Sequence, residues 1–272
     1  MRHNAAIPAL LRAKLRRLLK AKVLNPIIII PARLASTRLP DKPLAEIGGA
    51  PMIIQVWRRA TEAAIGPVIV AAADAAIIDA VVRAGGRAVP TRPDHPSGSD
   101  RIFEALQAID PRAVHDVIVN VQGDLPLLDP QAIRAALAPL ADPACDIATL
   151  AAALELGEFD SRSVVKLWTE FCGKTIARAL AFSRGATPPP GGGKPYHHIG
   201  LYAYRRAALA RFIALPPSAS EQRENLEQLR ALDTGMRIDA ALVDAVPFGV
   251  DTPADLERAR GLMRARPDPA RS

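Results

Sequence analysis

Aromatic residues make up only 4% of this 272-residue chain, so the stacking platforms on which single-stranded nucleic acid is bound are not evident. Cysteine is scarcer. Cys145 and Cys172 stand alone and far apart, which leaves neither a disulfide framework nor zinc-ligand spacing. Neither G-x-G-x-x-G nor G-x-x-x-x-G-K-[ST] occurs, so dinucleotide-binding and P-loop readings lose their main support. No apolar run is long enough to span a bilayer, a secretory cleavage pattern is missing, and there is no internal repeat. Two isolated thiols without an export signal point to the cytoplasm.

What is present reads as a folded globule: 49% hydrophobic and 23% charged residues, enough to close one large α/β core. The net charge of +7 invites a nucleic-acid reading, but its distribution argues against one. Arg2, Arg12, Lys14, Arg16, Arg17, Lys20 and Lys22 all precede the first strand without an acidic companion. The remaining chain balances 28 basic against 28 acidic residues. Residues 1–24 therefore form a basic arm, with Ile7, Leu10, Leu11, Leu15, Leu18 and Leu19 at helical spacing. A solvated or lightly docked helix is the plain reading of this arm; weak contact with an anionic membrane surface or a misassigned start are the others.

The fold signal begins at Ile27-Ile28-Ile29-Ile30, an apolar run of the kind buried on both faces of a parallel sheet. A long polar loop follows to about Gly49, then a helix over 52–64 with Pro51 in its first turn. Strands at 68–72, 87–90 and 117–121 alternate with helices at about 75–84 and 99–109 and one after Pro130, which implies βαβ units. Past Cys145 the rhythm changes: 147–150, 164–168, 176–182 and 198–204 read as strands with few helices between them. Helices near 206–214 and 221–232, a strand at 238–243 and a last helix to about Arg266 complete the pattern. The expected class is α/β, a Rossmann-like, mostly parallel sheet flanked by helices with a small antiparallel extension. One domain over 25–266 would include a substrate or dimer lobe at about 145–215 and leave a tail at 267–272.

Two loops carry the chemistry. Pro31 to Leu44 follows the first strand, at the end where open α/β sheets bind ligands, and sets Arg33, Arg38 and Lys42 among small residues. Arginine forks, a mobile lysine and free backbone amides suit a triphosphate. Asn120-Val121-Gln122-Gly123-Asp124 follows another buried strand and places a carboxylate where Mg²⁺ could be held, although aspartate there also caps helices. Asp251, on the Gly249-to-Pro253 turn, is the natural second ligand if the fold joins the turns.

Together with 91–101, 197–204, 226–230 and 249–256, these segments resemble the 3-deoxy-manno-octulosonate cytidylyltransferase family, in the same order from about Ile27 to Arg260. The resemblance implies a nucleotide-diphospho-sugar transferase fold, Mg²⁺, a homodimer, and the reaction of CTP with Kdo to give CMP-Kdo and pyrophosphate for lipopolysaccharide biosynthesis. It assigns Arg33 and Lys42 to the triphosphate, Pro31 and Ala32 to backbone contacts, and Arg92, Ser97 and Gly98 to the cytidine. Asp124 and Asp251 would hold the metal; Arg33, Lys42, Asp124 and Asp251 would form the catalytic set. Gln122, Arg184, His198, Tyr202, Glu227 and Gln228 would face the sugar acid. Read without the resemblance, Glu227-Gln228 is a solvated helix face, and His197 a core or edge residue.

The chain departs from the family pattern at Asp41, where glycine is common, at Ala73 for threonine, at Ser163 for asparagine, and in lacking an aromatic near Pro189. The basic arm has no counterpart in the family core. A cytidylyltransferase for another acidic sugar, such as sialic acid, is the nearest rival. A uridylyl- or guanylyltransferase and a non-catalytic scaffold follow.

Overall fold

The computed structural model describes residues 24–187, 190 and 192–265. Apart from Leu24, the basic arm and the C-terminal tail lie outside the described residues.

The isoleucine run becomes β1 (Pro26–Ala32), and Ile28, Ile29 and Ile30 are fully buried between helices on both faces. The polar loop behind it contains more structure than its composition suggested. A 3-10 turn at Lys42–Leu44 leads into a two-residue hairpin, β2 (Glu46–Ile47) and β3 (Ala50–Pro51). Pro51 thus ends β3 and caps α1 (Met52–Glu62), outside the first helical turn where the sequence placed it. The alternation then runs as expected through β4 (Val68–Ala72), α2 (Ala75–Arg83), β5 (Arg87–Pro90), α3 (Gly98–Ile109), β6 (Val117–Asn120) and α4 (Pro130–Ala135).

The second half supplies β7 (Ile147–Ala152), β8 (Lys166–Thr169), β9 (Ile176–Arg178), β10 (Ala181–Ser183) and β11 (Lys194–Arg205). After them come α5 (Arg206–Ala214), α6 (Ala219–Glu224), α7 (Gln228–Asp233), β12 (Ile238–Leu242) and α8 (Pro253–Ala265). Two expectations are corrected here. The single strand expected over 176–182 is two, because Ala179 N–H donates to Ile238 and Leu180 N–H to Trp168, so the chain changes partner between them. The single helix expected over 221–232 is also two, broken at Asn225, which adopts a left-handed φ of 53°.

The sheet runs β5-β4-β1-β6-β11-β7-β12-β9. Strands β1, β4, β5 and β6 are mutually parallel, and β12 is parallel to β7. β11 opposes both β6 and β7 and so runs reversed between two parallel blocks, and β9 at the edge is antiparallel to β12, but the main sheet is mostly parallel. The first part of β11 pairs with β8, and β8 with β10, forming the small antiparallel extension. Within 145–215, therefore, β7 and the later part of β11 run through the main sheet, and β8 and β10 stand apart from it. The extension is braced by Lys166, whose buried ammonium donates to the carbonyls of Ser161, Val164 and Arg184.

Parallel strands end on the same side, so the turns after β1, β4, β5, β6 and β12 gather along one edge. Two glycines let them close. A Cβ on Gly123 would lie 3.0 Å from the Pro31 carbonyl oxygen, and one on Gly98 would lie 3.3 Å from the Pro31 ring. The departure at Asp41 has a backbone reason: its φ of 51° is left-handed, a region glycine enters freely and aspartate tolerates better than most residues. Asp41→Gly should keep or slightly raise stability in urea denaturation, whereas Asp41→Val should cost about 1–2 kcal/mol. Equal stability of the two variants would show that this turn is free to relax.

Candidate active site

Lys42 follows the left-handed residue and points its ammonium under the turns from β6 and β12. Nζ lies 2.9 Å from Asp124 Oδ2 and 2.9 Å from Asp251 Oδ1. The two turns are joined through their backbones as well, Val250 N–H donating to the Asp124 carbonyl at 3.0 Å. Behind Asp251, Asp255 accepts from the N–H groups of Asp251 and Thr252, which fixes the start of α8. Arg38 completes the cluster, Nη2 standing 3.1 Å from Asp251 Oδ2. Burial opposes the charge on Lys42, whose side chain is only 16% exposed, but Asp124 and Asp251 outweigh it and hold the pKa above the ordinary lysine value.

These residues line a cleft of about 430 Å³ that also takes in Pro31, Ala32, Arg33, Gln122 and Gly123. A second cleft of about 250 Å³ adjoins it, sharing Pro31, Ala32, Arg33 and Gln122 and adding His95, Ser97, Gly98 and Arg101. Its far wall is strapped by α3. The Arg101 guanidinium, almost wholly buried, donates to Thr91 Oγ1 at 2.6 Å and to the Arg92 carbonyl at 2.9 Å. Glu104 accepts from the Arg92 N–H and contacts His95 Nε2. Ser97 is the N-cap of α3, accepting from Asp100 N–H. On the near side the Leu34 N–H is held by Asp74 at 2.8 Å, which ties the first loop to the end of β4. A larger groove of about 930 Å³, between α4, residues 242–248 and the end of α8, is mostly apolar and contains none of the expected site residues.

The structure thus brings together Pro31, Ala32, Arg33, Lys42, Ser97, Gly98, Gln122, Asp124 and Asp251 in two connected clefts. Arg92 is not on either wall: its side chain is largely exposed beside Asp94, and only its backbone is engaged by α3. The remaining sugar-side residues do not line these clefts. Arg184 donates to the Glu224 carbonyl and the Arg162 carbonyl. His198 and Tyr202 are buried neighbours on β11, their rings 5.6 Å apart, with His198 Nε2 3.1 Å from Thr149 Oγ1. The solvated face read at Glu227-Gln228 is corrected, since Gln228 is buried and Glu227 contacts Ser99 Oγ next to the cleft wall. Burial raises the Glu227 pKa against the hydrogen bonds from Ser99 and Ser97. His197 sits half-buried against Glu158. Asp74 and Arg101 were not singled out from sequence. Arg38 was read as one of the three cations of the first loop but received no role of its own.

A family model described as Cytidylyltransferase matches residues 27–238. The 3-deoxy-manno-octulosonate cytidylyltransferase of Methylorubrum extorquens (strain PA1) is 61% identical over 243 residues, covering 89% of this chain and 98% of that protein. The protein so named from Rhodospirillum centenum (strain ATCC 51521 / SW) is 63% identical over 244 residues, covering 89% and 95%. Among solved structures, a CMP:2-keto-3-deoxy-manno-octonic acid synthetase complexed with CTP matches with a TM-score of 0.79. It is 41% identical, and the match covers 88% of this chain and 98% of that one.

Burial pushes the His198 imidazole down to about 3, with His197 adding to the effect. Its folded pKa lies below its unfolded value of about 6.5, so the unfolded chain binds the extra proton and stability falls as pH drops from about 6.5 toward 3. By pH 5 the loss should be on the order of 2 kcal/mol relative to pH 7 in urea denaturation. His198→Asn should flatten that dependence; an equal slope in both proteins would place the proton elsewhere.

Proposed function

The chain belongs to the cytidylyltransferase family, and from that premise we propose that it joins CMP from CTP to 3-deoxy-manno-octulosonate, releasing pyrophosphate. The observation that carries this reading is the meeting of Asp124 and Asp251 beside Arg33, Arg38 and Lys42 in one cleft. A triphosphate brings four negative charges to such a site, and the three cations of the first loop supply most of the balance.

The anomeric hydroxyl of the sugar acid attacks the α-phosphorus in line, and pyrophosphate leaves on the opposite side. No protein nucleophile is needed, so the chain's work is positioning and charge neutralisation. Arg33 and Lys42 hold the β- and γ-phosphates and steady the charge that grows on the leaving group. Pro31 and Ala32 approach the nucleotide with their backbone, and Ser97 and Gly98 close the wall of the adjoining cleft on the cytidine side. Gln122, shared by both clefts, stands where nucleotide and sugar acid meet; Arg184, His198, Tyr202, Glu227 and Gln228 are assigned to the sugar acid by family resemblance.

Asp124 and Asp251 fit a divalent ion. Their oxygens Oδ2 and Oδ1 both reach one Nζ at 2.9 Å, so they lie no more than twice that distance apart. No group of three or more His, Cys, Asp or Glu side chains forms a metal site among the described residues. Two carboxylates with the other positions left to water and phosphate suit Mg²⁺, which binds through few protein oxygens and keeps its waters. When bound, Mg²⁺ would lower the negative charge on the α-phosphate and acidify the attacking hydroxyl.

A homodimer is also proposed. Leu156, Phe159 and Leu180 are exposed in and around the antiparallel extension, a set of large apolar side chains suited to a partner subunit. The cytoplasm is the proposed compartment, since Cys145 and the exposed Cys172 are both free thiols. No helix among the described residues is long and apolar enough to cross a membrane.

Pyrophosphate release should require CTP, the sugar acid and Mg²⁺ together, and a panel including sialic acid, UTP and GTP should show preference for CTP with 3-deoxy-manno-octulosonate. Asp124→Ala should lower kcat at least about a hundredfold, the several kcal/mol expected of metal charge stabilisation, while thermal unfolding stays close to wild type. Near-normal turnover in that variant would remove Asp124 from the mechanism.

A further inference from the structure

We propose that the Lys42 ammonium and the divalent cation compete for the same carboxylate oxygens, so that the arriving nucleotide opens the metal site by drawing Lys42 onto its phosphates. The proposal rests on the reading of Asp124 and Asp251 as metal ligands and adds an order of events to it.

Three of the four oxygens of that carboxylate pair are engaged by side-chain cations. Lys42 Nζ takes Asp124 Oδ2 and Asp251 Oδ1, both at 2.9 Å, and Arg38 takes Asp251 Oδ2 at 3.1 Å. A doubly charged ion on Oδ2 of Asp124 and Oδ1 of Asp251 would stand within a few ångströms of Nζ, where two positive charges repel in a half-buried, weakly screened place. Holding both on these oxygens at once carries that repulsion, so each weakens the other.

The two competitors differ in what else they can do. The backbones that carry the carboxylates are held, that of Asp124 by the bond from Val250 N–H to its carbonyl and that of Asp251 by the bond from its N–H to Asp255. Lysine is a compact charge on a flexible four-carbon stem, able to swing without moving its loop. Its alternative partner is in the same cleft, because the loop that carries Lys42 is the one that faces the triphosphate. Arg33, Arg38 and Lys42 outnumber Asp124 and Asp251 by one charge, so the cleft attracts a polyanion before any metal enters. Once phosphate oxygens hold Lys42, the carboxylates are released to the metal. Linkage makes the effect reciprocal: nucleotide and metal each raise the other's affinity, while Lys42 and the metal oppose each other in the nucleotide-free protein.

This makes an unusual demand of a residue assigned to substrate binding: removing it should improve a second ligand's affinity. The probe is Mn²⁺ alone, titrated into nucleotide-free protein and followed by electron paramagnetic resonance. Lys42→Met keeps the stem and removes the charge; it should tighten the Mn²⁺ Kd about tenfold, within the range of ordinary coupling between sites. Adding Asp124→Asn to Lys42→Met should abolish the gain. If Lys42→Met binds Mn²⁺ no more tightly than wild type while Asp124→Asn still weakens it, the competition is refuted and the metal assignment stands. If Asp124→Asn leaves Mn²⁺ binding of the Lys42→Met protein unchanged, the metal assignment fails and the competition with it. Circular dichroism of each variant separates loss of binding from loss of fold.

Discussion

One ammonium group held between two carboxylates organises this molecule's working edge. Lys42 is 82 residues from Asp124 and 209 from Asp251, so the three meet only if the first loop, the turn after β6 and the turn before α8 all arrive in register. The arrangement adds little to stability. The side chains are 16%, 33% and 47% exposed, and ion pairs in such places are worth about 1 kcal/mol or less each. Its value is convergence: five cleft charges sit on three turns that the mostly parallel sheet delivers to the same side, and Gly98 and Gly123 keep Pro31 close enough for the walls to touch.

The two halves of the site are built differently. The half proposed for the nucleotide is a surface cleft whose walls are loops strapped from behind, Leu34 by Asp74 and residues 91–95 by Arg101 and Glu104. Of the residues proposed for the sugar acid, His198 and Tyr202 on β11 and Glu227 and Gln228 at the start of α7 instead belong to a buried polar layer, where His198 contacts Thr149 and Glu227 contacts Ser99. Burial lowers the His198 pKa and raises that of Glu227, the latter against hydrogen bonds from Ser99 and Ser97.

Much of this was legible in the sequence because it depends on local signals. The isoleucine run of β1, the alternation through β6 and the placing of Asp124 after a buried strand need only periodicity and the rule that such sheets bind at their carboxyl ends. What escaped depends on partners that periodicity cannot see. Residues 176–182 have one continuous strand composition, yet β9 pairs with β12 and β10 with β8. Glu227 and Gln228 look solvated until the fold brings Ser99 of α3 onto Glu227 and buries Gln228. Asp41 reads as an intrusion of charge, whereas its backbone angle explains both the residue and the family's glycine. The convergence of Asp124 with Asp251 was a conditional expectation from sequence, and only the fold could meet the condition.

A double-mutant cycle on kcat tests most directly whether those two carboxylates act as one unit. If they share a single cation, Asp124→Ala and Asp251→Ala disable the same function, and the double variant should be scarcely slower than the slower single one. Losses that multiply would show two independent roles and contradict the account.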